Sequence, residues 1–114
     1  MADYRIDYLE FPSRDGAASR SFFTDAFGWS FTHYGPTYDA INDAGIDTGI
    51  QSDTGEATAA PLAIIHTDDL EQALLQVVAA GGTITRDPFD FPGGRRFHFR
   101  EPGGNELAVW IERA

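Results

Sequence analysis

The chain of 114 residues contains no cysteine and carries 8 basic residues against 18 acidic ones. Without cysteine there is no disulfide framework, no thiolate nucleophile and no cysteine-based metal site. The net charge of −10 repels phosphate backbones, so nucleic acid is not an expected partner. The amino terminus lacks the features of a secretory signal, and no apolar run approaches the roughly 20 residues of a membrane span. We therefore expect a cytoplasmic protein that does not enter membranes.

The chain has instead an internal repeat. Residues 15–28 and residues 69–82 each begin with an aspartate, continue as a helical pattern and end in a glycine at the same separation. A short apolar, strand-like run precedes each copy (6–11 and 62–65), and further strand-like runs follow each copy (29–33, 38–42 and 48–51; 83–86, 95–100 and 106–112). Residues 52–60, rich in glycine, threonine and alanine, predict a linker. The repeat therefore predicts two βαβββ modules within one domain.

Apolar residues recur at helical spacing in both repeats. In the first helix the stripe includes Phe22, Phe23 and Phe27, which we expect in the core. In the second helix the stripe consists of Leu70, Ala73, Leu74, Val77 and Val78. Each helix is predicted to pack on the sheet of its own module.

Three motifs and the repeat together resemble the vicinal oxygen chelate superfamily, which groups glyoxalase I, extradiol dioxygenases, fosfomycin-resistance enzymes and bleomycin-binding proteins. The motifs are Phe-Phe-Thr-Asp-Ala-Phe-Gly-Trp at 22–29, Asp-Leu-Glu-Gln-Ala at 69–73 with Ala-Gly-Gly at 80–82, and Phe-Arg-Glu-Pro-Gly-Gly-Asn at 99–105. The resemblance implies an α+β fold in a single glyoxalase-like domain of residues 1–114, with module one at about 1–55 and module two at about 61–114. It also implies a curled mixed sheet that forms an open concave cup.

The resemblance further implies where a divalent metal would bind. The four ligand positions of the superfamily fall on Tyr8, on Ile50 or Gln51, on Leu62 and on Ala108. Leu62 and Ala108 have no donor atom, whereas hard divalent cations require several oxygen or imidazole ligands. We therefore predict no metal and no other cofactor.

Other polar and aromatic residues are candidates for binding a ligand. Strand alternation places Tyr8 and Glu10 on one face of the first strand, and Trp110 on the presumed concave side. His98 faces the cup if Phe97 and Phe99 pack under the second helix, and faces away otherwise. The full candidate set is Tyr8, Glu10, Tyr38, Gln51, His98 and Trp110. Rigid aromatic rings beside a carboxylate suit a flat or cationic molecule, although the same residues could fill a cup that is closed by a dimer.

Three classes of function follow from these observations. The first is a metal-free protein that binds a small aromatic or cationic molecule, as bleomycin-binding relatives do. The second is a metal-dependent lyase, isomerase or dioxygenase of the glyoxalase type, and the third is a dimerising protein without a ligand of its own. Whether the chain is an enzyme is left open. A homodimer is expected, because two half-barrels expose large apolar faces.

Overall fold

The computed structural model describes residues 3–113, which form eight strands and two helices. The first half contains β1 (Arg5–Pro12), α1 (Gly16–Phe27), β2 (Ser30–His33), β3 (Tyr38–Asn42) and β4 (Asp47–Gln51). The second half contains β5 (Leu62–His66), α2 (Leu70–Ala79), β6 (Thr83–Phe91), β7 (Gly94–Arg100) and β8 (Glu106–Glu112). The predicted α+β class and the two βαβββ modules are confirmed.

The chain divides into two compact units. Module one consists of residues 8–62, and module two consists of residues 63–113 together with 3–7. In module one the strand order is β2-β3-β4-β1, and β4 runs parallel to β1. In module two the order is β5-β8-β7-β6, and β8 runs parallel to β5. The remaining strand pairs within each module are antiparallel. Each module therefore has parallel and antiparallel pairs in the same arrangement.

The ends of both helices follow the sequence signals. Asp15 and Asp69 are the N-caps, and each carboxylate accepts a hydrogen bond of 3.1 Å from the backbone N–H three residues later. These bonds satisfy donors that the first turn of a helix leaves open. Gly28, at φ 73°, ends α1, and Gly81, at φ 101°, follows the last turn of α2. This left-handed conformation favours glycine, as the spacing predicted.

Module two contains a tight hydrophobic core under α2. Leu70 and Ala73 pack against Phe97, Phe99 and Val109, and all five are buried. Phe97 is completely buried. The Phe pair of β7 therefore lies on the helix side of the sheet.

Module one is different, because α1 has no buried residue. The prediction that Phe22, Phe23 and Phe27 all lie in the core was wrong for two of them: Phe22 is 61% exposed and Phe27 is 60% exposed. Only Phe23 is half-buried, and it stacks between Phe11 and Trp29 with ring centroids 6.0 and 5.4 Å away. The apolar arc of α1 is about half a turn wide, and Phe23, which lies between Phe22 and Phe27 on the helix surface, contacts the β1 residue Phe11.

Strand β6 is longer than the sequence predicted. It extends beyond Arg86 to Phe91, although Pro88 lies inside this run. β6 is the end strand in the order of module two, and its register shifts between Arg86 and Phe89. Proline is tolerated in an edge strand and at an irregular register, because no neighbouring strand needs a hydrogen bond from the N–H that proline lacks.

Neither α1 nor α2, the helices of residues 3–113, is long and apolar enough to span a membrane.

Candidate functional site

The strand face of module one that lies opposite α1 carries most of the predicted site. The register pairs Tyr8 with Asp47, Glu10 with Gly49 and Pro12 with Gln51 across β1 and β4. Across β3 and β4, Tyr38 pairs with Gln51. Because partners in register share a face, Tyr8, Glu10, Tyr38 and Gln51 all lie on this one.

Three of these residues form a hydrogen-bonded cluster. The Tyr38 hydroxyl donates to Glu10 Oε2 at 2.9 Å and lies 2.7 Å from the Tyr8 hydroxyl. Glu10 is only 4% exposed. Burial, with the neighbouring Glu10 carboxylate as the next cause, raises the pKa of Tyr38 well above its usual value. Tyr38 is therefore the donor in its hydrogen bond to Glu10, and we call Tyr8, Tyr38 and Glu10 the tyrosine–glutamate cluster.

Gln51 shares this face but is not part of the cluster. The register places it four residues along the strand from the Tyr8 level, a separation of roughly 13 Å. Its side-chain oxygen accepts from the backbone N–H of Asp53 at 3.0 Å. The neighbouring Ile50 lies on the opposite face and is completely buried. Gln51 therefore anchors the start of the linker.

In module two the corresponding strand face carries aromatic rings and arginines. Trp110 donates its indole N–H to Asp7 at 2.9 Å, and its ring lies 5.2 Å from His66 and 6.4 Å from Phe91. Arg96, the register partner of Trp110, lies 5.5 Å from the Phe91 ring.

The same face continues toward the outer strand, where Arg86 lies 3.5 Å over the Phe89 ring and Arg96 lies 5.4 Å from it. The guanidinium groups are thus stacked on aromatic rings, an attractive arrangement. This face also carries Glu106 and Glu112, so it holds charges of both signs beside the aromatic rings.

His98 lies on this face as well, since Phe97 and Phe99 pack under α2. It is 2% exposed, its Nδ1 is 3.7 Å from the Glu106 carboxylate, and its ring lies 5.7 Å from Phe89. Thr85 donates to the same carboxylate at 2.7 Å. His98 is therefore held inside a polar network.

His66 contacts Glu112 at the surface of module two. Its Nε2 is 2.8 Å from the Glu112 carboxylate, which lowers the pKa of Glu112 through this hydrogen bond. The cap of α2 is Asp69.

The positions that the resemblance assigns to metal ligands do not fit a metal. Leu62 and Ala108 are completely buried and apolar. Within residues 3–113, no three His, Cys, Asp or Glu side chains are grouped so that they could hold a metal ion. Two of the four ligand positions, Leu62 and Ala108, therefore have no side-chain atom that could bind a metal ion.

Sequence reasoning missed two parts of these faces. Gly49, between Tyr38 and Glu10, was not singled out, although a glycine inside a strand is a signal of close approach by another group. Phe89 and Phe91 were missed because the predicted strand ended at Arg86.

The family model described as the Glyoxalase/Bleomycin resistance protein/Dioxygenase superfamily matches residues 5–109, nearly the whole chain. The chain belongs to this superfamily. The predicted resemblance, and the fold it implied, are confirmed.

Two curated proteins are similar to the chain in sequence. The anthracycline biosynthesis protein DnrV of Streptomyces peucetius is 30% identical over 124 residues, a match that covers 90% of this chain and 45% of that protein. DauV of Streptomyces sp. strain C5 is 29% identical with the same coverage. The chain therefore spans less than half the length of these curated relatives.

Solved structures show the same fold. A superfamily member from Vibrio splendidus 12B01 has a TM-score of 0.73 at 15% identity, and the match covers 98% of this chain and 100% of that one. The Mn(II)-bound glyoxalase from Novosphingobium aromaticivorans has a TM-score of 0.66 at 18% identity, and the match covers 93% of this chain and 38% of that one.

Proposed function

We propose that the chain is a metal-free binding protein of the superfamily that holds a small aromatic or cationic molecule. The observation that carries this proposal is the tyrosine–glutamate cluster. It combines a nearly buried carboxylate with two phenol rings on one strand face of module one. Rings of this kind offer apolar stacking area, while the carboxylate supplies the polar contact that fixes the orientation of a ligand.

The names of the relatives support an aromatic ligand. Both curated relatives are anthracycline biosynthesis proteins, and anthracyclines are planar polycyclic aromatics that carry an amino sugar. A planar ring system with an ammonium group matches phenols beside a carboxylate. We therefore propose an aromatic polyketide or a similar molecule as the ligand class.

The absence of metal is part of the proposal, and it rests on donor chemistry. Leu62 and Ala108 occupy two of four positions where the superfamily supplies ligands, and neither side chain can coordinate a cation. The second candidate function, a metal-dependent lyase, isomerase or dioxygenase, would need a different ligand set.

The binding proposal is tested by calorimetric titration with an anthracycline as the probe, and by the thermal shift that a bound ligand produces. Tyr8→Ala and Glu10→Gln should each weaken binding at least tenfold, since a hydrogen bond to a charged group contributes about 1.5–3 kcal/mol. Tyr34→Ala is the matched control, because Tyr34 is 66% exposed. Equal affinity in all four proteins would contradict the proposal. One tightly held metal per chain in elemental analysis would contradict its metal-free part.

We also propose a homodimer, with α1 as its contact. Phe22 and Phe27 form an exposed edge-to-face pair with ring centroids 6.4 Å apart, and Phe27 continues to Trp29. On a chain of net charge −10, the residues of α1 carry one basic and one acidic side chain, so a second acidic copy meets no net charge there. Light scattering should give twice the mass of the chain, and Phe22→Ser combined with Phe27→Ser should return a monomer.

A further inference from the structure

A groove of about 310 Å³ lies in module one, and no residue of the tyrosine–glutamate cluster lines it. One wall is the turn between β1 and α1, residues 12–14, and the other wall consists of Thr54 and residues 57–59. The groove follows the last residues of β1 and β4, which run parallel there. Its volume is at the lower end of the range of small-molecule sites, about 300–1,000 Å³.

Both walls are held by hydrogen bonds within module one. The Ser13 N–H donates to the Gln51 carbonyl at 2.9 Å, which fixes the first wall to β4. In the second wall the Ala57 N–H donates to the Asp53 carbonyl at 2.8 Å. Residues 52–60, which the sequence predicted as a linker, are therefore a folded loop, and the groove is built by the chain itself.

Arg14, on the first wall, differs from the other arginines of the chain. All eight basic residues are arginines. Seven of them donate to a carboxylate or a carbonyl, or stack on an aromatic ring: Arg5, Arg20, Arg86, Arg95, Arg96, Arg100 and Arg113. Arg14 has no hydrogen bond, ion pair or ring contact with any of the described residues 3–113. A guanidinium with five N–H donors, unused by this part of the chain, thus borders the groove.

The position of Arg14 in the fold favours an anion beside it. Arg14 directly precedes Asp15, the N-cap of α1, and a cation is unfavourable at the positive end of a helix. The Asp15 carboxylate accepts from the Ala18 N–H. The acidic residues nearest in sequence to the two walls, Asp15, Asp53 and Glu56, do not line the groove. A bound anion would therefore meet the guanidinium without a competing carboxylate in the lining.

We infer that this groove binds an oxyanion, the carboxylate or the phosphate group of a small aliphatic molecule, and that Arg14 is its binding residue. A guanidinium matches both groups through two parallel N–H···O bonds. The Thr54 hydroxyl belongs to the same lining and can donate as well, while Pro12 and Ala57 supply a short apolar surface for an aliphatic chain. The inference does not rest on the proposed binding of an aromatic molecule, because the two sites share no residue.

The experiment uses three short aliphatic probes: butanoate, butyl phosphate and butylammonium. Each is titrated into ¹⁵N-labelled protein at constant ionic strength, and the amide signals of residues 13–14 and 54–59 are followed. Butanoate or butyl phosphate should shift these signals along a saturating curve, whereas butylammonium should not, since a guanidinium repels it. Saturation by butanoate alone identifies a carboxylate ligand, and saturation by butyl phosphate alone identifies a phosphate ester.

The matched variants are Arg14→Gln and Arg5→Gln, because each removes one positive charge. Arg5 lies outside the groove and pairs with Asp3 on the surface at 2.9 Å. Arg14→Gln should weaken binding of the anionic probe at least about tenfold, the loss expected for a hydrogen bond to a charged group, while Arg5→Gln should change it by less than about twofold. The urea midpoint of Arg14→Gln should not fall, since Arg14 has no partner to lose among residues 3–113.

The inference is overturned if neither anion gives a saturable shift of the groove amides. Equal weakening in the two variants would also overturn it, because net charge rather than Arg14 would then hold the anion. Equal shifts with butylammonium would show that the groove accepts aliphatic chains whatever their charge. None of these results changes the anthracycline titration at the tyrosine–glutamate cluster, so the two proposals fail separately.

Discussion

The two modules have the same topology but differ in how much of each helix is buried. In module two, α2 buries Leu70 and Ala73 against Phe97, whereas in module one α1 buries nothing and leaves Phe22 and Phe27 exposed. Because burial of apolar area is the main source of stability, we assign the larger share of the stability to module two. The weaker packing of module one coincides with the presence of the tyrosine–glutamate cluster there.

The strand faces differ in their side chains as well. Module one presents a nearly buried carboxylate with two phenols, and module two presents Arg86 and Arg96 stacked on Phe89. Two copies of one βαβββ plan thus carry different side chains at related positions. A repeated fold therefore predicts where side chains lie, but the residue at each position decides what they do.

The largest expected effect tests the assignment of stability to module two. Phe97→Ala removes a completely buried ring and should lower the free energy of unfolding by about 3–5 kcal/mol. Phe22→Ala, at an exposed position of α1, should change it by no more than about 0.5 kcal/mol when the protein is diluted below the concentration at which the proposed homodimer forms. Urea unfolding followed by circular dichroism measures both variants. Similar losses in the two at that dilution would contradict the assignment, whereas a loss for Phe22→Ala that appears only at higher concentration is the result that the proposed homodimer predicts.

An intermediate effect concerns the cluster of module one and appears at alkaline pH. Burial raises the pKa of Tyr38 above the value of about 10 that an unfolded chain gives it. The native state therefore keeps a proton that the unfolded state releases above pH 10. Stability is fully present below that pH and is lost as the pH rises, by about 1.4 kcal/mol per pH unit.

Tyr38→Phe should lack this alkaline loss, while Tyr34→Phe, at an exposed position, should keep it. Urea midpoints at pH 8 and at higher pH give the comparison. Parallel curves for wild type and Tyr38→Phe would show that Tyr38 is not buried as a donor to Glu10.

The sequence predicted local features better than non-local ones. Both N-caps and the glycines after the helices could be identified from spacing, since capping depends on neighbours along the chain. The exposure of Phe22 could not, because periodicity gives the width of an apolar arc but not which part of it meets the sheet. The end of β6 was misplaced because Pro88 is compatible with an edge strand only after the strand order is known.

The candidate site shows the same limit. Alternation placed Tyr8 and Glu10 on one face, and the structure agrees. Their contact with Tyr38 depends on the register of β1, β4 and β3, which involves residues 30 positions apart. Gln51 was included from its position in the superfamily pattern, but its hydrogen bond to Asp53 turns it toward the linker.

The smallest expected effect is that of replacing the N-cap of each helix. Because the two N-caps are nearly identical, it compares the two modules directly. Asp15 has φ −147° and ψ 92°, Asp69 has φ −149° and ψ 93°, and each side chain accepts one backbone N–H. Replacement by alanine costs about 1 kcal/mol at such a position. Asp69→Ala should cost more than Asp15→Ala, since fraying the first turn of α2 exposes Leu70 and Ala73, whereas the first turn of α1 covers no buried side chain. Hydrogen exchange of the amides in the first turn of each helix, measured beside urea unfolding, gives both values. A larger cost at Asp15 would mean that α1 is the more firmly packed helix and would reverse the assignment of stability to the modules.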